Sequence, residues 1–317
     1  GWEHAFAEAV KNAYDADAAR VDITIPPRSA MLRPDEELVV IEDDGHGMSR
    51  QHLQEKYCRI GRPKLLQDGS KSPGGRRFFG RRGTGKMANL AVVRQVRVET
   101  WVKGGDRSWT EFSSDLFLQQ DSRNLGSSRT DSPQAWVTSE PNEVSSSSGT
   151  RLTLQDFLPH APAPNMRLVH SILLRHFCHL KDVTFYINLD RFRASDHAEL
   201  AKEFDDEEVD DLGKVTGQIW IARQSLNTPG IIICSGGQTI YGPGLVGMDQ
   251  KGFRGEPKKV IGRLLGNVEV VPYEDGPINS GLWAMTPSFI ALSGSQGGCP
   301  PKLPHHRMYG PVYGGSR

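Results

Sequence analysis

The stretch EAVKNAYDADA, residues 8–18, decides how the rest of the sequence is interpreted. It belongs to a segment whose apolar residues recur at helical spacing, which predicts an amphipathic helix over residues 3–18. These apolar residues are Phe6, Ala9, Val10 and Ala13. Glu8, Asn12 and Asp15 fall at i, i+4 and i+7 of the same segment and form a polar stripe of their own. The stripe is either a solvated helix face or one wall of a site.

Two strands are predicted after this helix. RVDITI, residues 20–25, alternates between apolar and polar residues, and ELVVIE, residues 37–42, has the composition of a buried strand. The second strand continues into Asp43-Asp44-Gly45-His46-Gly47-Met48, a tight turn, and Ser49 is a candidate N-cap for a short helix. A carboxylate is therefore expected at the end of a buried strand.

A glycine-rich stretch, FGRRGTGKM at residues 79–87, raises the question of a P-loop, because Gly80 and Gly85-Lys86 have the required spacing. A P-loop needs a Ser or Thr after the lysine to hold magnesium, and this sequence has Met87 there. A P-loop also follows a buried strand directly, whereas glycines and arginines precede Gly80. The P-loop interpretation is therefore weak. Gly80, Gly83 and Gly85 still predict a helix start whose amides face phosphate.

Residues 58–83, which we call the lid, are rich in arginine and glycine and have no apolar period. Loops of this length are usually functional or disordered. The lid is expected to be mobile without ligand, and its arginines are expected to contact phosphate or nucleic acid, or to form a plain basic loop.

The remaining sequence predicts a first domain that ends near residue 200 and a smaller one after it. Within the first domain we expect a helix at 84–93, a strand at 95–102, a hairpin at 107–118, a strand from Gly149-Thr150, a helix at 165–180 and a strand at 183–188. Residues 119–148 are rich in Ser, Asn and Pro, and Ser145 to Ser148 are expected to be flexible. The acidic segment 203–211 is interpreted as a solvated linker or loop. Residues 212–295 contain strand-like runs of a second α+β domain, and residues 296–317 are interpreted as a flexible tail.

Composition sets broader limits. The chain has 317 residues, with 38 basic and 38 acidic side chains, so its overall charge favours neither a nucleic acid nor a membrane as partner. Its four cysteines lie far apart without a C-x-x-C pair, which is typical of reduced cytoplasmic thiols.

The pieces EAVKNAYDADA, IEDDGHGM and GRRGTGKMANLA, followed by Gly149-Thr150, together resemble the GHKL ATPases: gyrase B, heat-shock chaperones, histidine kinases and MutL. The resemblance covers about residues 3–155 in the family's order and is strongest to the hydrolysing MutL, MORC and chaperone branches. It implies an α/β (α+β) fold: a two-layer sandwich over residues 1–200 and a transducer-like domain over 212–295.

The resemblance assigns roles that suit the residue types. Glu8 becomes the general base and Asn12 a magnesium ligand, since an amide oxygen is a hard donor. Asp43 becomes the acceptor of the adenine amino hydrogens. Gly45 and Gly47 would let backbone approach the purine.

Further residues are assigned in the same way. Met48 would flank adenine, and Thr150 would bond to Asp43 or to a water bridging them. Asp15 would support the site from behind. The phosphates would meet the third motif, namely Gly80, Gly83, Thr84, Gly85 and Lys86. Lys214 and Arg223 are candidates for a second-domain cation that reaches the γ-phosphate.

The implied function is binding and slow hydrolysis of ATP with Mg²⁺, used as a conformational switch. Expected partners are ATP, a second copy of the chain on ATP binding and, by analogy with MutL and MORC, DNA; no membrane partner is expected. The expected location is the cytoplasm. Two alternatives stay open: phosphotransfer of the histidine-kinase type, and a module that binds ATP without hydrolysing it.

Overall fold

The computed structural model describes residues 1–27, 38–58, 71–76, 78–79, 85–113, 137–140, 145–178, 180–209, 213–226, 228–235, 238–245 and 258–271. They form two sheets and a small number of helices. The predicted two-layer α+β class is confirmed. No helix within these ranges is long and apolar enough to cross a membrane.

The first sheet has eight strands in the order β5-β4-β3-β6-β2-β1-β7-β8. The strands are β1 (Arg20–Thr24), β2 (Leu38–Asp43), β3 (Val93–Trp101), β4 (Arg107–Ser113), β5 (Val137–Glu140), β6 (Gly149–Phe157), β7 (Thr184–Ile187) and β8 (Asp190–Arg191). Neighbouring strands are antiparallel except β1 and β7, which are parallel. The hairpin predicted at 107–118 therefore corresponds in part to β4, whose hairpin partner is the preceding strand β3.

Helices cover one face of this sheet. They are α1 (Trp2–Asp15), α2 (Arg50–His52), which continues as a π-helical turn over Leu53–Tyr57, α3 (Lys86–Leu90) and α4 (Met166–Phe177). Phe6 and Val10 of α1 join Val39 and Leu154 of the strands in one buried cluster. Burial of such side chains contributes about 1.5–3 kcal/mol each, so this contact between helices and sheet stabilises the domain substantially.

Helix α1 is shorter than predicted. It ends at Asp15 because Asp17 adopts a left-handed backbone conformation, with φ of 61°, which a right-handed helix cannot continue. The predicted helix at 165–180 is observed as α4, and the Asn165 side chain caps it by accepting the Leu168 amide hydrogen at 3.0 Å.

The second sheet has five strands in the order β12-β11-β13-β10-β9. They are β9 (Ala198–Val209), β10 (Gly213–Ala222), β11 (Gly230–Ser235), β12 (Gln238–Gly244) and β13 (Leu264–Val271); two short helices, α5 (Ala194–His197) and α6 (Lys258–Ile261), accompany them.

The linker interpretation of residues 203–211 is wrong for residues 203–209, which lie in β9. Phe204 and Val209 are buried against the sheet while the intervening acidic side chains are mostly exposed. β9 is an edge strand, where outward charges discourage pairing with another chain. The second sheet thus begins at Ala198 instead of after residue 211.

Helix α4 connects the two sheets. Its Phe177 belongs to the first core, and its Leu174 packs with Trp220, Ala222 and Leu265 of the second sheet. Arg175 of α4, only 3% exposed, donates to the Glu3 carboxylate of α1 and to the Thr228 carbonyl before β11. The two sheets are therefore linked by apolar packing and by a buried charge.

Candidate nucleotide-binding site

A cavity of about 680 Å³ lies between α1, the carboxyl end of β2, the π-helical turn and the start of α3. Its floor is apolar and includes Ile41, Val98 and Leu152 of the first sheet. Polar side chains enter from the edges, among them Asn12, Asp43 and Thr150. An apolar pocket with a few convergent polar groups is the usual form of a small-molecule site.

Asp43 lies at the cavity wall because β2 ends there. Its Oδ1 accepts the Gly45 amide hydrogen at 2.9 Å, and the amide of Thr150 on β6 also donates to the carboxylate. Burial raises the pKa of Asp43 to about 7; the Gly45 amide opposes this rise, and the Asp44 carboxylate adds to it. The carboxylate is thus held in place by backbone and retains acceptor capacity for a ligand.

The Thr150 contact with Asp43 comes from its backbone amide, whereas its hydroxyl lies against Thr100. Its Oγ1 lies 3.3 Å from Oγ1 of Thr100, a fully buried residue opposite it on β3. The Thr100 hydroxyl also accepts the Met48 amide hydrogen at 2.8 Å and donates to the Gly149 carbonyl at 3.1 Å. Thr100 therefore fixes both Met48 and β6, and sequence reasoning missed it because only the strand register places it there.

The turn after β2 brings Gly47 and Met48 to the cavity. Gly47 has φ of 65°, and a Cβ there would overlap the Trp101 backbone, so glycine is required by the sheet itself. Gly45 does not line the cavity; a Cβ on it would meet the Ala16 carbonyl oxygen at 2.6 Å. Its contribution is the amide bond to Asp43. Met48 both lines the cavity and packs against the core.

The three residues of the polar stripe on α1, Glu8, Asn12 and Asp15, have different surroundings. Asn12 is exposed and lines the cavity, and no described residue bonds to its side-chain amide. Asp15 is buried, lines the cavity and accepts the Phe79 amide hydrogen at 2.8 Å. Glu8 is half-buried, and its Oε1 pairs with Lys11 Nζ at 3.0 Å.

Glu8 is not itself a lining residue, but it contacts one. The Glu8 Oε2 atom faces Gly85, which lines the cavity, and a Cβ on Gly85 would overlap that oxygen. The first and third motifs therefore meet at this point. Gly80, Gly83 and Thr84 lie outside the described residues, and Lys86 is described only as the first residue of α3.

Part of the lid is anchored to α1 and the turn that follows it. The Asp17 carboxylate accepts from the Ser72 hydroxyl at 2.5 Å and from the Gly74 amide at 2.7 Å. Arg76 donates to the Ala18 carbonyl at 2.7 Å and pairs with Asp182 at 2.8 Å. Of the alternatives open for the lid arginines, these contacts favour a structural role for Arg76, because its guanidinium is engaged by protein carbonyl and carboxylate groups.

Sequence reasoning also missed the side chains that line the cavity near the π-helical turn. Burial raises the pKa of Tyr57 there, with Cys58 and then Asp43 adding to the effect. The basic residues His46, His52, Lys56 and Lys71 also line it. Alternation of apolar residues could not identify them, because they lie in a turn, the short helix α2, the π-helical segment and the lid.

The two candidates for a second-domain cation lie outside the lining of this cavity. Lys214 is an exposed residue of β10, and Arg223 donates to the Ser195 carbonyl at 3.1 Å; neither lines this cavity. Within the described ranges, no group of three or more His, Cys, Asp or Glu side chains could hold a metal. A magnesium ion that shares its shell with phosphates and water needs fewer protein ligands, and the free amide of Asn12 at the cavity fits that need.

Comparison with known proteins supports a nucleotide-binding site in the N-terminal part of the chain. Residues 2–150 match the family described as histidine kinase-, DNA gyrase B- and HSP90-like ATPase. The match supports the GHKL resemblance and ATP binding, and it does not separate the MutL, MORC and chaperone branches.

A second similarity is more local. Over 93 residues, 29% of this chain, the sequence is 37% identical to a provisionally assigned type II restriction enzyme, HgiDII, of Herpetosiphon aurantiacus. The aligned part spans only 14% of that enzyme's length.

Proposed function

We propose that the first domain, which ends before the second sheet begins at Ala198, binds ATP with magnesium, hydrolyses it slowly to ADP and phosphate, and uses this cycle as a conformational switch. The observation that carries the proposal is the single cavity that brings together Asn12, Asp43 and Gly85, with Glu8 in contact with Gly85. These residues come from three separate motifs, and a plain structural role would not require them to share one pocket.

Adenine specificity is assigned to Asp43. An ionised carboxylate fixed by the Gly45 and Thr150 amides accepts from the exocyclic amino group of adenine, while guanine presents a carbonyl oxygen there. Ile41, Val98 and Met48 supply apolar surface for the purine. Charged hydrogen bonds contribute about 1.5–3 kcal/mol, enough to separate ATP from GTP.

The phosphates are assigned to the Asn12 and Gly85 end of the cavity. Asn12 is the residue that would hold magnesium, which when bound neutralises phosphate charge. Glu8 accepts a proton from the attacking water. The water oxygen bonds to the γ-phosphorus, the bond from that phosphorus to the bridging oxygen breaks, and ADP leaves with the electron pair of that bond.

The switch is assigned to the lid and α1. The lid contacts Asp15 and Asp17 on the back of the α1 turn, and Glu3 at the other end of α1 is tied to Arg175 and the second sheet. A ligand in the cavity, which contacts α1, would therefore influence both the position of the lid and the contact of α1 with the second sheet. Dimerisation on ATP binding and a role in DNA restriction or defence belong to the same proposal; the restriction-enzyme similarity supports the latter.

The test is a paired measurement of ATP affinity by calorimetry and of phosphate release in a single turnover, on the full-length protein. Glu8→Ala should keep its ATP affinity and release phosphate at least ~100-fold more slowly, the usual contribution of a general base. Asn12→Ala should lose magnesium-dependent binding as well as turnover. Glu111→Ala, which removes an exposed carboxylate on the opposite side of the sheet, serves as the matched control.

The alternatives give different results. Binding without phosphate release by the wild type would replace the switch with a binding module. Formation of acid-labile phosphoprotein from labelled ATP would indicate phosphotransfer. Wild-type turnover by Glu8→Ala would remove Glu8 from the mechanism.

A further inference from the structure

Lys11 lies beside the residue assigned as general base. Its Nζ is 3.0 Å from Glu8 Oε1, and the Lys11 and Glu8 side chains are 23% and 18% exposed. Because both side chains are largely shielded from solvent, water and salt weaken this pairing less than they weaken an exposed ion pair on a helix surface. The pair can therefore hold the carboxylate in one orientation.

The second carboxylate oxygen is placed by this pairing. With Oε1 held by Lys11, Oε2 faces Gly85, and Gly85 lines the cavity although Glu8 and Lys11 do not. Only a glycine leaves room for the oxygen there. The carboxylate is thus held on one side by an ammonium group and limited on the other by a backbone wall of the cavity.

A general base acts only within hydrogen-bond reach of the proton it takes. A glutamate side chain has three rotatable bonds, so an untethered Glu8 would spend much of its time turned away from the Gly85 wall. Asn12 cannot provide the tether, because it faces the cavity itself.

We propose that Lys11 is a positioning residue for the hydrolysis reaction: it holds Glu8 Oε1 so that Oε2 is directed past Gly85 toward the phosphate end of the cavity. The inference rests on the proposed function, since it needs Glu8 to be the base. Lys11 itself does not bind nucleotide.

The test uses full-length protein with four single variants, Lys11→Met, Lys11→Arg, Glu8→Ala and the control Lys103→Met, together with the double variant Glu8→Ala/Lys11→Met. Lys103 is exposed in the turn between β3 and β4 and does not line the cavity. ATP affinity and single-turnover phosphate release are measured for each.

Lys11→Met should bind ATP within about 2-fold of wild type and release phosphate about 10-fold more slowly, a typical cost of a misplaced catalytic group. Lys11→Arg should recover most of the rate because it keeps the cation. In the Glu8→Ala background, Lys11→Met should cause no further loss, since two residues that act through one interaction are not additive.

Several results would overturn the inference. An unchanged rate of phosphate release in Lys11→Met would mean that the ion pair does not contribute to catalysis. A faster rate would mean that the pair holds Glu8 away from its catalytic position. A large loss of ATP affinity would make Lys11 a phosphate ligand. A further rate loss in the Glu8→Ala background would mean that Lys11 acts independently of Glu8. If the wild type releases no phosphate, both the proposed function and this inference fail. If the wild type releases phosphate and Lys11→Met does so at the same rate, only this inference fails.

Discussion

Asp43 at the end of β2 and Thr150 at the start of β6 lie directly opposite each other, and the Thr150 amide donates a hydrogen bond to the Asp43 carboxylate. A second amide, that of Gly45, donates from the following turn at 2.9 Å. The carboxylate is therefore oriented by the sheet before any ligand arrives, which favours binding because little ordering remains to be done.

Replacing Asp43 by alanine should weaken ATP binding about 10- to 150-fold, corresponding to the loss of one charged hydrogen bond. Wild type should bind GTP poorly, because its purine has a carbonyl where adenine has an amino group. Asp44→Asn is the matched control, since Asp44 bonds instead to the Ala19 and Arg20 amides and asparagine keeps an acceptor oxygen. Equal affinities of wild type for ATP and GTP by calorimetry would contradict this assignment.

The same carboxyl should make stability depend on pH. Burial raises its pKa from 3.8 to about 7, so between these values the folded protein binds a proton that the unfolded chain does not. The free energy of unfolding of the nucleotide-free protein should therefore fall as pH rises from about 4 to about 7 and level off above, by at most ~1.4 kcal/mol per pH unit. Asp43→Asn should lack this fall. Thermal unfolding of both proteins across this range tests it, and parallel curves would refute it.

Gly85→Ala should slow hydrolysis by displacing Glu8. Gly85 has an α-helical backbone, with φ of −57° and ψ of −32°, so alanine causes no backbone strain and the added Cβ meets the Glu8 carboxylate. We expect single-turnover release to fall about 10-fold. In the Glu8→Ala background the same substitution should have no further effect on the rate. A loss of equal size in both backgrounds would show that the alanine disturbs something other than Glu8.

Asp17→Gly should release the described part of the lid. Glycine keeps the left-handed backbone conformation of this position and removes the carboxylate that holds Ser72 and Gly74. Losing two hydrogen bonds of about 0.5–1.5 kcal/mol each should raise the open population roughly 5- to 150-fold. Trypsin cleavage after Lys71 and Arg76, followed by mass spectrometry, should accelerate accordingly. Unchanged cleavage would mean that other contacts hold this segment.

The ion pair between Glu3 of α1 and Arg175 of α4 should lose stability unequally when one or the other residue is removed. Glu3→Ala leaves the guanidinium of Arg175 buried without its carboxylate, and losses of about 3–5 kcal/mol are typical of that situation. Arg175→Met removes the buried charge and leaves Glu3, which is 37% exposed, able to meet water. Chemical denaturation should therefore show a larger loss of stability for Glu3→Ala, and the reverse order would refute the argument.

The main helices and strands of the first domain could be predicted from sequence, because their apolar residues recur at helical or strand spacing. β9 could not. Phe204 and Val209 are five residues apart, a spacing that strict alternation would place on opposite faces. They share a face because the pairing with β10 shifts register between Val215 and Gly217, opposite a residue, Asp206, with φ of 50°. A bulge of this kind leaves no apolar signal in the sequence.

Some residues of the candidate site could likewise be predicted from sequence, and others could not. Asn12, Asp43 and Gly85 belong to recognisable motifs and reach one cavity. Thr100 sits in an ordinary strand sequence and becomes part of the site only through its register with Thr150. Anchoring of the lid by Asp17 depends on a contact between residues 55 positions apart, which local patterns do not contain.

The order of strands in the first sheet limits where the chain can be divided. The family match stops at residue 150, just inside β6, yet β6 lies between β3 and β2 and is the strand that joins the β3-β4-β5 half of the sheet to the β2-β1 half. β1 in turn pairs in parallel with β7, whose residues follow more than a hundred positions later. A protein truncated at residue 150 would therefore have two separate half-sheets, each with an open edge prone to intermolecular pairing. An expression boundary for the nucleotide-binding unit belongs after β8, beyond Arg191.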